Sequence, residues 1–143
     1  MGINDVVNAI AIKLNQGFGE DYTIYTESIE QGLEEPCFFI VLLTSRQSQV
    51  VGKRYFREQP FDIHYFPSTK DANMEMHDVV DRLNDALEYI TTISGDLLRG
   101  TSINHEIVDG VLHFFVNYNF HVYKVTDPTD PMGDLKINNG LKG

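Results

Sequence analysis

Five histidines, one cysteine and 21 acidic residues are the side chains of this sequence that could ligate a metal, move a proton or attack an electrophile. Protein-bound zinc usually takes two ligands from a short local spacing, as in HExxH or paired Cys and His. His64, His77, His105, His113 and His121 contain no such pair, and His113 and His121, which share strand parity, stand too far apart along the chain for one ion. Their expected place is a solvent or subunit face. Cys37 opens an apolar run beside Phe38 and Phe39, the setting of a small buried hydrophobe. A nucleophilic thiol wants a basic, part-exposed environment instead. Asp71, Glu75, Asp78, Asp85 and Glu88 form an acidic stripe that would hold a cation only with oxygen ligands converging from other elements, so a solvated helix face is expected. Gly17-Phe18-Gly19 follows a helix, whereas a dinucleotide fingerprint follows a strand. No nucleophile-elbow pattern occurs. The expectation is a protein without catalytic, metal or cofactor-binding residues, and not an enzyme.

Positioning these side chains falls to a chain of 143 residues, the size of one domain with one core. Net charge is −10, which argues against a surface that grips phosphates or an anionic membrane, though not against a lumen that encloses DNA without binding it. The longest apolar run, Phe38 to Leu43, is far too short to span a bilayer, and no basic patch precedes an apolar block at the N-terminus. The lone cysteine suits a reducing cytoplasm.

Ile3, Val6, Val7, Ile10 and Leu14 share one face of a predicted helix over 3–16, stopped by Gly17 and Gly19. Strands are predicted over 22–27 and 37–44, the second covered on both faces because it is almost continuously apolar. Ser45 to Gly52 reads as a polar hairpin tip. A strand then resumes at Lys53, with an interruption or bulge at Pro60, and alternates from Phe61 to Phe66. A second helix is predicted over 72–91, its buried stripe made by Met76, Val79, Val80, Leu83, Leu87 and Ile90. Beyond Gly95 and Gly100 come a strand over 102–107, a turn at Asp109-Gly110 and a long strand over 111–125. In that last strand Phe114, Val116, Tyr118, Phe120 and Val122 line one face, and His113, Phe115, Asn117, Asn119, His121 and Tyr123 the other. The expected fold is α+β, a single domain of mostly antiparallel sheet with both helices on one face, in the order α-β-β-β-α-β-β. The domain would span 1–126, and 127–143, with its prolines and glycines and no periodicity, would be an extended tail docked on this chain or a neighbour.

Charge is segregated along the chain. Between Leu14 and Ser45 there is no Lys or Arg, while Glu20, Asp21, Glu27, Glu30, Glu34 and Glu35 occur; between Pro36 and Arg57 there is no acid, while Arg46, Lys53, Arg54 and Arg57 occur. Two complementary patches at different places on one protomer make head-to-tail contacts, which close into rings when the rotation permits. The candidate interface is therefore Arg46, Lys53, Arg54 and Arg57 of one protomer against Glu30, Glu34 and Glu35 of the next. The projecting hairpin is also suited to strand addition on a neighbour.

Glu35-Pro36-Cys37-Phe38-Phe39-Ile40, Arg54-Tyr55 to Arg57, and Pro60 to Pro67 occur in that order, followed by an acidic helix and Ile107 to Phe114. From the first helix to the last strand, this series resembles the tail terminator, or tail completion, proteins of long-tailed phages and of defective prophage particles. The resemblance implies a structural virion protein and a homo-hexameric ring at the head-proximal end of the tail tube. Such a ring stops tube polymerisation and presents a surface to the neck or head connector. It implies contact with the tail tube protein and, in contractile particles, with the sheath. DNA would pass through the lumen without specific binding, or nothing would in a headless tail-like bacteriocin. It further implies assembly in the host bacterial cytoplasm, no membrane partner and no cofactor. A head–tail joining protein of the neck is the neighbouring alternative. A small cytoplasmic enzyme or a monomeric binding module are the alternatives of another class.

Overall fold

The computed structural model describes residues 1–27, 32–126 and 135–137. Apolar spacing builds its two helices, α1 (Ile3–Phe18) and α2 (Ala72–Ala86). In α1, Val6, Ala9, Ile10, Leu14 and Phe18 recur every three or four positions and are buried. Asp5 accepts a hydrogen bond from the Gly2 amide at 2.8 Å, reaching back at the helix start. The last turn of α1 has no basic residue of its own. Arg82 of α2 supplies one, donating to the Gly17 carbonyl at 2.8 Å with its guanidinium 4.1 Å from the centre of the Phe18 ring. In α2 the buried stripe is Met76, Val79, Val80 and Leu83.

The strands are β1 (Thr23–Tyr25), β2 (Cys37–Leu42), β3 (Arg46–Val51), β4 (Arg54–Phe66), β5 (Tyr89–Thr91), β6 (Leu97–Val108), β7 (Val111–Thr126) and β8 (Leu135–Ile137). They form one sheet in the order β1-β2-β4-β7-β6-β5, with β3 added to β4 and β8 to β7. Among the described residues, only β1 and β2 run parallel; the other pairs are antiparallel. The alternation predicted for the long strand is observed, and its even positions meet Phe61, Ile63 and Tyr65 of β4 and Phe38 and Ile40 of β2. Both helices pack on this one face, so the domain is α+β with a single core. Among the described residues, no helix is long and apolar enough to cross a membrane.

Element boundaries depart from the sequence reading in physically instructive ways. The polar segment expected as a hairpin tip is itself a strand, β3, exposed throughout and paired with Arg54–Glu58; the turn shrinks to Gly52-Lys53, with Gly52 at φ +53°. Pro60 does not interrupt β4. It falls where β4 changes partner from β3 to β2, a position that asks for no ladder donor on that edge, and its carbonyl accepts the Leu43 amide at 2.8 Å. β2 is covered mainly on the helix side, where Phe38 and Ile40 are buried; on the other side Cys37 is buried but Phe39 and Val41 are only half-buried.

Helix α2 ends at Ala86, and the predicted last turn becomes β5, with Ile90 still buried. Gly100 lies inside β6 rather than before it: an added Cβ would stand 2.7 Å from the Leu87 carbonyl oxygen and 2.8 Å from Val116 Cγ2. The register of β6 against β7 then shifts between Thr101 and Asn104, with Ser102 at φ +52°. Glu75 is not part of a solvated stripe. It accepts the amides of Ser68 at 3.0 Å and Thr69 at 2.9 Å, the Thr69 hydroxyl at 2.7 Å and the Tyr65 hydroxyl, tying α2 to the end of β4. Of the expected tail, 127–134 and 138–143 lie outside the described residues; the backbone of β8 pairs with Lys124–Thr126.

Candidate assembly interface and histidine cluster

The four basic candidates occupy the β3–β4 hairpin but not equivalent positions. Arg46 and Lys53 are exposed, and Arg54 is half-buried with its Nε donating to His121 Nδ1 at 3.3 Å. The hairpin apex also holds Val51, 73 % exposed, in register with Arg54, which in turn pairs with Tyr123, 58 % exposed. Tyrosine and arginine beside exposed apolar surface is the composition of a protein-contact hot spot.

Arg57 points to the core side of the sheet and is 5 % exposed. Its Nε donates to Gln47 Oε1 and its Nη1 to the Met1 carbonyl, both at 3.1 Å, while Nη2 is buried without a partner. Burial pulls the guanidinium pKa down. Arg57 lines a cleft of about 350 Å³ with Gly2, Ile3, Ser45, Arg46, Gln47 and Gln59. The side-chain oxygen of Gln59 is likewise buried and unpaired. The cleft therefore holds an uncompensated buried donor, of the kind a carboxylate can satisfy.

The acidic candidates border β1, on the same side of β4 as β3 but near the Phe66 end of that strand, away from the hairpin apex. Glu34 and Glu35 are exposed, and Glu34 is held beside β1 by its amide donating to the Tyr25 hydroxyl at 3.2 Å and by the Thr23 hydroxyl at 3.5 Å. Glu30 lies outside the described residues. Within one chain, among the described residues, no Lys or Arg forms an ion pair with a carboxylate; the recorded pairs are histidines on Asp62.

Those histidines belong to a side-chain cluster that sequence spacing missed. His64 of β4 and His113 of β7 are register partners, with ring centroids 4.4 Å apart. Asp62, two positions before His64, lies on the same outer face. His64 Nε2 and His113 Nδ1 each stand 2.9 Å from the same Asp62 oxygen, Oδ2. Asp62 is 6 % exposed and its other oxygen, Oδ1, is buried without a partner. Burial alone would raise the carboxyl's pKa, but the two histidine hydrogen bonds and the positive charge they can carry outweigh it and hold the value low. The only available signal was the shared outward parity of positions 62, 64 and 113; their juxtaposition needed the β4–β7 register. His77, His105 and His121 are exposed and stand elsewhere. Cys37 is buried and its thiol pKa is pushed up to about 11 by burial and the nearby Glu35, so it stays protonated and inert at neutral pH.

A family model described as phage tail terminator protein matches residues 5–130, almost the whole described fold. No curated protein matches the sequence. By this match the chain belongs to the phage tail terminator protein family.

Proposed function

We propose that this phage tail terminator protein is the subunit of a homo-hexameric ring that caps the head-proximal end of the tail tube, stops its polymerisation and offers the joining surface to the neck. In this reading it is a structural component without an active site, held by contacts to copies of itself and to the tail tube protein, and in a contractile tail to the sheath. It assembles in the host cytoplasm, and any DNA passes through the lumen without specific binding.

The observation that carries the assembly half is the uncompensated Arg57 in its cleft. A buried guanidinium without a carboxylate is costly, and a neighbour's acidic side chain supplies what the chain itself lacks. Glu34 and Glu35, with Glu30 preceding them, are the proposed insertion from the adjacent protomer. Arg46, Lys53 and Arg54 form the rim that sets register. Because the basic hairpin and the acidic edge are different surfaces, the contact is head-to-tail and can close into a ring.

Two measurements test this. Deleting the gene is expected to give overlong tubes by electron microscopy, and tubes of normal length would refute termination. The double reversal Arg46→Glu with Arg54→Glu should abolish ring assembly on purified tubes, with partial rescue by Glu34→Arg with Glu35→Arg. Unchanged assembly in the first variant would remove the hairpin from the interface.

A further inference from the structure

We propose that Asp62, His64 and His113 form a binding site for a divalent transition-metal ion, with zinc the best fit, on the open face of the sheet. Three donor atoms, one from each residue, lie within 4.8 Å of one another. Two imidazoles and one carboxylate are a donor set that suits zinc and its late first-row neighbours, whereas magnesium and calcium ask for more oxygen ligands. Zinc with three protein ligands and an open position is a recurring arrangement.

The two nitrogen–oxygen separations need little change to accept the ion. With metal–ligand bonds of about 2.0–2.1 Å, donors on a tetrahedral zinc stand roughly 3.4 Å apart. Here both ring nitrogens are 2.9 Å from Asp62 Oδ2, so each nitrogen–oxygen separation must open by only a few tenths of an ångström, and the two nitrogens lie within 4.8 Å of each other. No deprotonation of a neutral ring is required: a tautomer shift moves the His64 proton to Nδ1 and the His113 proton to Nε2, leaving lone pairs at the two converging nitrogens.

A second observation points the same way. The Asp62 carboxylate is desolvated, yet Oδ1 has no hydrogen-bond partner. Such a group costs free energy that a coordinated cation would offset. The ligands sit on paired strands at the centre of the sheet rather than on loops, which holds them in place. Phe39 and Val41, register partners of His64 and Asp62 on β2, and Phe115, opposite Asp62 on β7, border the site with apolar surface that limits competition from water. Glu106, the register partner of His113 on β6, adds a negative charge on the same face. Occupied, the ion would staple β4 to β7 and leave coordination positions open for water or for another chain.

The test is calorimetric titration of zinc chloride into the tag-free full-length protein, with magnesium chloride as control. Saturable binding near one zinc per chain and none of magnesium is expected. Loss of an outer-shell partner weakens metal sites about 10–100-fold, so the double change His64→Gln with His113→Gln should weaken binding by about 100-fold or more. A control variant, His77→Gln, His105→Gln and His121→Gln, should bind as the wild type does. Equal binding by the wild type and the His64/His113 variant, or loss in the control variant, would overturn the site. Should the ligand variant fail to fold, cobalt(II) added to the wild type decides: visible bands of a low-coordinate nitrogen–oxygen site support the proposal, and the spectrum of hydrated cobalt sinks it. None of these outcomes bears on tube length, so this site and the termination role stand or fall separately.

Discussion

Strands β4 and β7 carry two different proteins on their two faces. On the helix side, Phe61, Ile63, Tyr65, Leu112, Phe114, Val116 and Tyr118 are fully buried beneath α1 and α2. On the other side, the interleaved Asp62, His64, His113, Phe115 and Asn117 have no covering layer among the described residues. Beneath the helices, the inner face satisfies its tyrosine hydroxyls within the chain: Tyr118 donates to the Leu87 carbonyl at 2.6 Å, and Tyr65 donates to Glu75. The outer face leaves Asp62 Oδ1 and Asn119 Oδ1 buried and unpaired, and the cleft at the hairpin end of the inner face leaves Arg57 Nη2 and Gln59 Oε1 so. The core beneath α1 and α2 is finished by folding. The outer face and the hairpin cleft keep buried polar atoms that the described chain does not pair.

The sharpest way to break this comparison is a pair of neighbouring truncations. Phe114→Ala removes a fully buried ring and should cost about 3–5 kcal/mol by urea denaturation. Phe115→Ala, one residue along and half-buried on the open face, should cost about 1 kcal/mol. Equal losses would mean that the open face is part of the core. Next in size is Gly100→Ala. The new methyl would meet the Leu87 backbone oxygen and Val116 at under 3.0 Å. A loss of about 2 kcal/mol is expected, as for overpacking elsewhere. Since Leu87 also receives the Tyr118 hydroxyl, the strain enters at the inner face, and an outer-face histidine should not feel it.

The same contrast explains how much was legible in the sequence. The inner face was readable because hydrophobic period is local: alternation from Leu112 to Val122 and the helical stripes at Val6, Ile10 and Leu14 or Met76, Val79 and Leu83 each predict their own burial. The missed features depend on partners far along the chain. β3 has no apolar alternation and is a strand because β4 pairs with it. Residues 89–91 continue the helical spacing of α2, yet β6 captures them as β5. Glu75 carries the sequence mark of a solvated acid, and only the return of Ser68 and Thr69 around the helix start supplies its donors. His64 and His113 are 49 positions apart and meet through register alone, by a connection that includes the whole of α2. Charge segregation was visible from the sequence, but that Arg57 turns inward, away from Arg46 and Lys53, follows from strand parity against β7.

The smallest effect expected concerns how the inner face secures its polar tips. Burial alone would raise the Glu75 pKa, but bonds from Thr69, Tyr65 and the Ser68 and Thr69 amides outweigh it and bring the folded value below that of an ordinary glutamate. A lowered folded pKa means that the unfolded chain takes up the proton first as acid is added. The stabilisation is therefore complete above the ordinary glutamate value of about 4.3, and is lost as pH falls through the lower folded value. Glu75→Gln should leave the urea midpoint less pH-dependent across this acid window, and should destabilise the protein mainly on its neutral side. Tyr65→Phe keeps the buried ring and deletes one donor to the carboxylate, at a cost of about 1.5 kcal/mol at neutral pH. Combining the two changes should cost less than their sum, because the hydroxyl and the carboxylate act on each other. Additive losses would show that Tyr65 and Glu75 are stabilised independently, and that the inner face is not closed by its own side chains at this end of β4.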